Sequence, residues 1–308
     1  MAAGRVPIFV NARAGPGGAG SGDLRRRLKA AVPDAEIIDV APDALYEAVC
    51  RARDDGAAII GVGGGDGTLN TAASALSGSQ AVLLCVPLGT LNNFARRIGI
   101  RTIEDAGAAL AGADVRTIAI GTVADRVFLN TLTFGEYARI VQIRDRLKRY
   151  TGKWPAAVLA SWAVLFTLRR ISVMLDDGEQ QLTRRTAFVW AGLGWGSFPR
   201  VHASLERRSS PVLEVAVATA STKRAAAAFV FRVTRDMLRG RGPVRDRDLE
   251  VLHTRALTVT AGHHIHGTAD GEVVRLPPRV EIAVRDDGLR VLHGPHREGP
   301  FADRPKNR

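Results

Sequence analysis

Cysteine is nearly absent: the 308-residue chain has two, Cys50 and Cys85, both inside apolar stretches. That excludes a secreted disulfide scaffold, a zinc ribbon and an iron–sulfur cluster, and it suits a reducing compartment. Lysine is also rare. Of 43 cationic side chains only Lys29, Lys148, Lys153, Lys223 and Lys306 are lysines, and the rest are arginine. Long apolar runs are missing as well. The longest covers residues 154–168 and is broken by Ser161 and Thr167; at ~1.5 Å per residue it reaches ~22 Å, short of a ~30 Å hydrocarbon core. Residues 1–11 are too short for a secretory signal and lack a small-residue cleavage site. The expectation is a cytoplasmic protein.

What is present starts with size and charge. The length suggests two domains of roughly 150 residues each, with 46% apolar and 24% charged residues, as in globular proteins. The net charge is +12, which points to an anionic partner such as nucleic acid, a phosphate-rich substrate or an acidic membrane surface. Clustered aromatic and basic recognition motifs are lacking, so nucleic acid is not expected as a partner. The stretch around Trp154, Trp162 and Phe166 places three aromatics near one helical face, with Lys153, Arg169 and Arg170 at its ends. It predicts peripheral attachment to an anionic membrane surface.

The first ~120 residues alternate strand and helix signals. Strands are predicted over 7–10, 36–40, 57–62 and 81–86, with helices over 23–32, 42–54 and 69–76. Asp23 is expected to cap the first helix. This alternation predicts a parallel sheet with helices on its faces and a ligand site at the carboxyl ends of its strands. The remainder reads differently: strands over 115–123 and 126–133, helices over 136–150 and 154–170, then mostly short strands interrupted by a helix over 222–238. The last two strands, 279–284 and 289–292, are predicted as separate. The fold class is α/β, an N-terminal parallel-sheet domain over 1–121 and a β-rich sandwich domain over 122–295. The tail over 296–308, charged and proline-containing, is expected to be disordered.

Three segments stand out chemically. In Gly63-Gly64-Gly65-Asp66-Gly67-Thr68-Leu69-Asn70, successive glycines let backbone N–H groups approach a phosphate, and the following helix adds its positive end. The pattern is neither a dinucleotide fingerprint nor a Walker A loop. Asp66 would repel a phosphate unless a divalent cation or a transferable proton intervenes; a plain strand-to-helix turn with Asp66 as cap is the alternative. Thr90, Asn92 and Asn93, after the next strand, offer hydroxyl and amide groups for a nucleotide or its metal, or simply cap a helix. Asp270-Gly271-Glu272 reads as a hairpin turn with Glu272 facing solvent. His264 and His266 share a strand face, but a third metal ligand is not visible.

Taken in order, Gly64-Gly65-Asp66-Gly67-Thr68-Leu69-Asn70, Pro87-Leu88-Gly89-Thr90-Leu91-Asn92-Asn93-Phe94-Ala95-Arg96 and Asp270-Gly271-Glu272 resemble the diacylglycerol kinase catalytic-domain family. Asn11-Ala12-Arg13-Ala14-Gly15 looks like that family's opening Asn-Pro-x-x-Gly element. The resemblance runs from Val6 to about Leu292. It implies an NAD-kinase-like two-domain fold, with ATP bound between the domains and Mg²⁺ tied to Asp66. It also implies a lipid hydroxyl as acceptor, in phospholipid metabolism. Asn11 to Gly15, Gly64, Gly65, Gly67, Thr68, Leu69, Asn70, Thr90 and Asn92 would hold the nucleotide, and Glu272 and Asp66 would be catalytic, Glu272 as proton acceptor. Departures from the family pattern are Thr71 where Glu is usual, Asn93 where Asp is usual, Ala119 near a family aspartate, and Ser210-Pro211-Val212 where bacterial members place an Asp-Gly-Leu metal turn. An NAD-kinase-like enzyme and a catalytically inactive lipid- or phosphate-binding protein are the alternatives. A homodimer stays open.

Overall fold

A computed structural model of the chain describes residues 5–11, 22–90, 92–166, 170–193, 212–219, 222–238 and 249–296. The chain divides into two units, one of residues 1–120 and 285–308 and one of residues 121–284. The N-terminal boundary falls next to the expected one at 121. The C-terminal boundary does not: residues 285–295, expected in the second domain, return to the first unit.

In the first unit, β1 (Val6–Asn11), α1 (Gly22–Ala31), β2 (Ala35–Val40), α2 (Leu45–Asp54), β3 (Ile59–Gly64), α3 (Asp66–Leu76) and β4 (Val82–Pro87) alternate as predicted. The strands pair in parallel in the order β2-β1-β3-β4. Every residue of β4 is buried, and β3 is buried from Ile60 onward, as expected of strands covered by helices on both faces. The order changes direction between β1 and β3. Such a switch point opens a crevice at the carboxyl ends of these strands.

Two helices follow β4: α4 (Asn93–Arg97), which the sequence offers only as the alternative of a helix capped by asparagine, and α5 (Ile103–Gly112), which is not predicted. α5 carries a readable start: Thr102 accepts from the Asp105 N–H while the Asp105 carboxylate accepts from the Thr102 N–H, a reciprocal capping box. Asp23 was expected to cap α1 but lies inside its first turn, because the helix already begins at Gly22.

β5 (Val115–Val123) leads into the second unit, and β16 (Arg279–Leu292) returns from it. β16 is one 14-residue strand, not the two strands predicted. Arg285-Asp286-Asp287-Gly288 has turn composition, yet the strand runs through it, and Gly288 lies where a Cβ would come within 2.3 Å of Ile120 Cγ1, a close approach that glycine permits. The end of β16 pairs in parallel with β4. Arg290 donates to Gln80 O at 2.6 Å, Gly294 N–H to Ile98 O at 2.8 Å, and His296 Nε2 lies 3.1 Å from Asp105 Oδ1. These bonds account for the return of the segment to the first unit.

The second unit contains β6 (Arg126–Phe128), β7 (Thr131–Gly135), α6 (Tyr137–Thr151), α7 (Lys153–Phe166), β8 (Ile171–Asp176), β9 (Gln181–Thr186), β10 (Phe188–Leu193), β11 (Leu213–Ala218), α8 (Lys223–Leu238), β12 (Leu249–Thr254), β13 (Ala256–Ala261), β14 (Ile265–Ala269) and β15 (Glu272–Leu276). A six-stranded antiparallel sheet runs β12-β11-β10-β7-β14-β15, and the first half of β16 pairs with β13, which pairs with β8 and then β9. Phe134, Val189, Val215 and Val274 from the first sheet share one core with Val173, Leu175, Val259 and Ile282 from the second. That shared core is the predicted sandwich. β8, β9 and β13 alternate inward and outward, whereas β10 and β11 are buried along nearly their whole length.

α6 packs on β7 and β14, α7 on α6, and α8 on α7. Leu159 and Phe231 on these helices are large apolar side chains left exposed. Trp162 is half-buried, whereas the side chains of Lys153, Trp154 and Phe166 lie outside the described set. Among the described residues, no helix is long and apolar enough to cross a membrane.

Glu214 breaks the pattern of β11. It is 1% exposed and its Oε2 accepts no hydrogen bond; burial pushes its carboxyl above the usual range. A group bound more tightly to its proton in the folded state stabilises below its unfolded pKa, and that stability is lost as pH rises through the folded value. The neutral variant Glu214→Gln is therefore expected to gain in thermal midpoint relative to the parent as pH is raised from 4 to 8. A difference that stays constant across that range would show that the carboxylate carries no burial cost.

Candidate active site

The glycine segment is a tighter turn than its sequence suggests. β3 continues through Gly64, and α3 begins at Asp66, so Gly65 alone connects them as helix N-cap. Gly64 in this turn and Gly89 in the next loop are required by protein neighbours. A Cβ on Gly64 would lie 2.4 Å from Thr68 Cβ, and one on Gly89 would lie 2.5 Å from Gly65 Cα. The loops after β3 and β4 thus touch backbone to backbone, as only glycine permits.

Asp66 ties the same two loops together. Its Oδ1 accepts the Phe94 N–H at 3.0 Å, an amide in the first turn of α4. It caps that helix from a distance, a duty a local Asn or Asp would ordinarily perform. Asp66 is therefore not the cap of its own helix. The N-terminus of α3 carries no side-chain cap, and its first N–H groups and positive dipole end suit an anionic phosphate.

Around this turn, Asn11 at the end of β1 donates through Nδ2 to Thr68 Oγ1 at 3.3 Å, joining that strand end to the first turn of α3. Leu69 is fully buried and acts as core; Asn70 is half-buried on α3. Thr71, in place of the family's usual Glu, turns its hydroxyl back onto Gly67 O at 3.2 Å. In the second loop Asn92 adopts the left-handed conformation, with φ 50°. Its Oδ1 accepts the Gly89 N–H at 2.9 Å and its Nδ2 donates to Gly89 O at 2.8 Å. Both ends of the Asn92 amide thus close its own loop, while the Thr90 side of that loop is exposed. Ala12, Arg13, Ala14 and Gly15 lie outside the described residues, as do Ser210 and Pro211.

In the second unit, Asp270 and Gly271 both have positive φ, 49° and 91°, and connect β14 to β15 through a two-residue turn with Ala269 opposite Glu272. This is the predicted hairpin. Glu272, its first residue after the turn, is exposed. Asp270 was not singled out from sequence, yet its carboxylate accepts three backbone N–H groups: Leu129 at 2.7 Å, Asn130 at 2.8 Å and Thr131 at 2.8 Å. The Asp-Gly turn was legible, but nothing in the local sequence signals the partner segment 140 residues away.

Residues 5–123 match the family model described as the diacylglycerol kinase catalytic domain. That stretch includes both touching loops and Asp66. Residues 5–123 are similar to the diacylglycerol kinase catalytic domain. The chain is 36% identical over 175 residues to a Pseudomonas putida protein named probable lipid kinase YegS-like, covering 56% of this chain and 55% of that protein. A Pseudomonas aeruginosa protein of the same name is 39% identical over 100 residues, 32% of this chain and 33% of that one. The matched stretches therefore span between a third and just over half of these relatives. In fold, the chain is similar to a diacylglycerol kinase from Bacillus anthracis (TM-score 0.64, 18% identity, 94% of this chain and 97% of that one). It is also similar, less closely, to an NAD kinase from Archaeoglobus fulgidus solved in complex with ATP (TM-score 0.52, 12% identity, 94% of each). The matched stretch thus covers the N-terminal part of the parallel-sheet unit, with its switch-point turn.

The residues present fit a nucleotide–Mg²⁺ pair. Among the described residues there is no cluster of three or more candidate metal ligands, so these residues supply no dedicated protein cage. Mg²⁺ in phosphoryl-transfer sites typically takes one or two carboxylates and completes its shell with phosphates and water. Asp66 offers one carboxylate beside an uncapped helix N-terminus, the arrangement this mode requires.

Proposed function

We propose that the chain is an ATP- and Mg²⁺-dependent lipid kinase that transfers the γ-phosphate to a hydroxyl of a diacylglycerol- or sphingoid-like lipid. The observation that carries this reading is the α3 N-terminus: it lacks a side-chain cap, stands at the sheet's switch point and lies within the family match. The Asn11–Thr68 pair and the first N–H groups of α3 hold the phosphates. Mg²⁺ on Asp66 would offset charge on the phosphoryl oxygens. The lipid hydroxyl attacks the γ-phosphorus, the new O–P bond forms, the bond to ADP breaks, and Glu272 accepts the hydroxyl proton.

The acceptor lipid resides in a membrane, so the chain must work at a surface. Its +12 charge and the exposed Leu159 and Phe231 on α7 and α8 support peripheral attachment to anionic bilayers, by charge with a small apolar contribution.

The test is transfer of labelled phosphate from ATP with Mg²⁺ to dioctanoylglycerol or sphingosine, presented in neutral and in anionic mixed micelles. Labelled lipid is expected, formed faster on anionic micelles, with the advantage shrinking as salt rises. Equal rates on both surfaces at every salt concentration would remove the electrostatic attachment. Label appearing in NAD instead of lipid would replace the reading with an NAD kinase. No transfer to either, with ATP still bound, would favour an inactive binding protein, consistent with Thr71, Asn93 and Ala119.

A further inference from the structure

We propose that Asp270 is a positioning residue: by anchoring the hairpin turn to the segment leading into β7, its carboxylate holds Glu272 in its working place. This rests on reading Glu272 as the proton acceptor. The turn alone does not require a charged residue, since Asn-Gly serves a two-residue turn with positive φ at both positions equally well. What Asp270 adds is reach. Its Oδ2 takes the Leu129 N–H and its Oδ1 takes those of Asn130 and Thr131, while its own N–H donates to Thr131 O at 2.7 Å. Four bonds thus fasten one turn to one three-residue segment.

Such fastening matters because of where Glu272 stands. It opens β15, the edge strand of the six-stranded sheet, whose neighbour in that sheet is β14. An exposed residue on an edge strand has few contacts to fix its backbone, so its position is inherited from the hairpin. The hairpin is seated by two further features in the next rows. Thr133 and Thr268 share a buried hydroxyl–hydroxyl bond of 2.7 Å, and a Cβ on Gly267 would lie 2.1 Å from Thr133 O. A carboxylate has about four acceptor sites, and three on Asp270 are already committed to backbone. Asp270 is thereby a poor candidate for accepting a substrate proton, and Glu272 two residues on is the better one.

Asp270→Asn separates these roles. Its Oδ1 keeps the Asn130 and Thr131 N–H groups, but its Nδ2 faces the Leu129 N–H, donor against donor. Turnover of dioctanoylglycerol or sphingosine is expected to fall about 100-fold, the scale of a ~1 Å misplacement, with KM for ATP unchanged. The fall in rate toward acid pH, which reports the base, is expected to persist, whereas Glu272→Gln abolishes it. Amide exchange at residues 129–131 should accelerate in Asp270→Asn while β11 stays protected. If that variant is unstable, Gly271→Ala strains the same turn with the carboxylate intact and should lower turnover likewise. Wild-type turnover in Asp270→Asn overturns the proposal while leaving Glu272 as the base. An acid limb lost in Asp270→Asn but kept in Glu272→Gln overturns it too, by making Asp270 the base. No lipid turnover in the wild type sinks the kinase reading itself, and this inference with it.

Discussion

Replacing Glu272 with glutamine is expected to lower lipid turnover by ~10²–10⁴-fold, the usual contribution of a positioned base to a poorly nucleophilic hydroxyl. The side chain is exposed, and the Ala269–Glu272 pairing that closes the hairpin is made by backbone. Glutamine matches glutamate in shape, so the variant should keep the parent's thermal midpoint and its ATP-induced stabilisation. The loss should fall on kcat, since proton acceptance is needed in the transition state and not for binding. Initial rates at saturating ATP, with thermal shifts on the same preparation, separate the two. If the purified variant turns over at the parent's rate, Glu272 is merely a solvent-facing residue beside a turn.

Asp66→Asn is expected to cost as much by another route. The asparagine Oδ1 can still accept the Phe94 N–H, so α4 keeps its distant cap and the loops stay joined. What disappears is the negative charge available to Mg²⁺. ATP at ~100 times its Kd should stabilise the parent by ~2.7 kcal/mol. In Asp66→Asn the part of that shift that depends on Mg²⁺ should vanish, and turnover should fall at least ~100-fold. Asp66→Ala should lose in addition the α4 cap, about 1 kcal/mol of stability without any ligand. A full Mg²⁺-dependent shift in Asp66→Asn would leave Asp66 as a loop tie alone.

The parts legible in the sequence were those encoded by local pattern. β4 is six consecutive buried residues, and such runs between helical segments announce a parallel sheet directly. The hairpin at Asp270-Gly271 was likewise carried by two residues. Long-range partners were not legible. A cap at Asp66 is the alternative reading from sequence; its carboxylate does accept a helix N–H, but one of α4, because the identity of its donor depends on how two loops meet. Arg285-Asp286-Asp287-Gly288 has turn composition, yet β16 runs through it, and the partner it approaches there, Ile120, is far away in sequence. α5 was missed although Thr102 and Asp105 spelled its start, since a capping pair with aspartate in third place is a weaker signal than one with glutamate. Asn92 reads equally as ligand or cap; the bonds of its amide to Gly89, which close its own loop, go with a left-handed backbone that the sequence does not announce.

The contact between Gly65 and Gly89 bears on how the nucleotide motif could be moved into another scaffold. The conformation of Gly64-Gly65-Asp66-Gly67-Thr68 is completed by residues it does not contain: the Gly89 backbone that rests against it and the Phe94 N–H that donates to Asp66. Grafted alone onto a foreign parallel strand, those five residues would meet a neighbouring loop bearing side chains, and would be pushed off the shape they have here. The smallest portable piece is the pair of strand–helix units spanning residues 59–97, taken together.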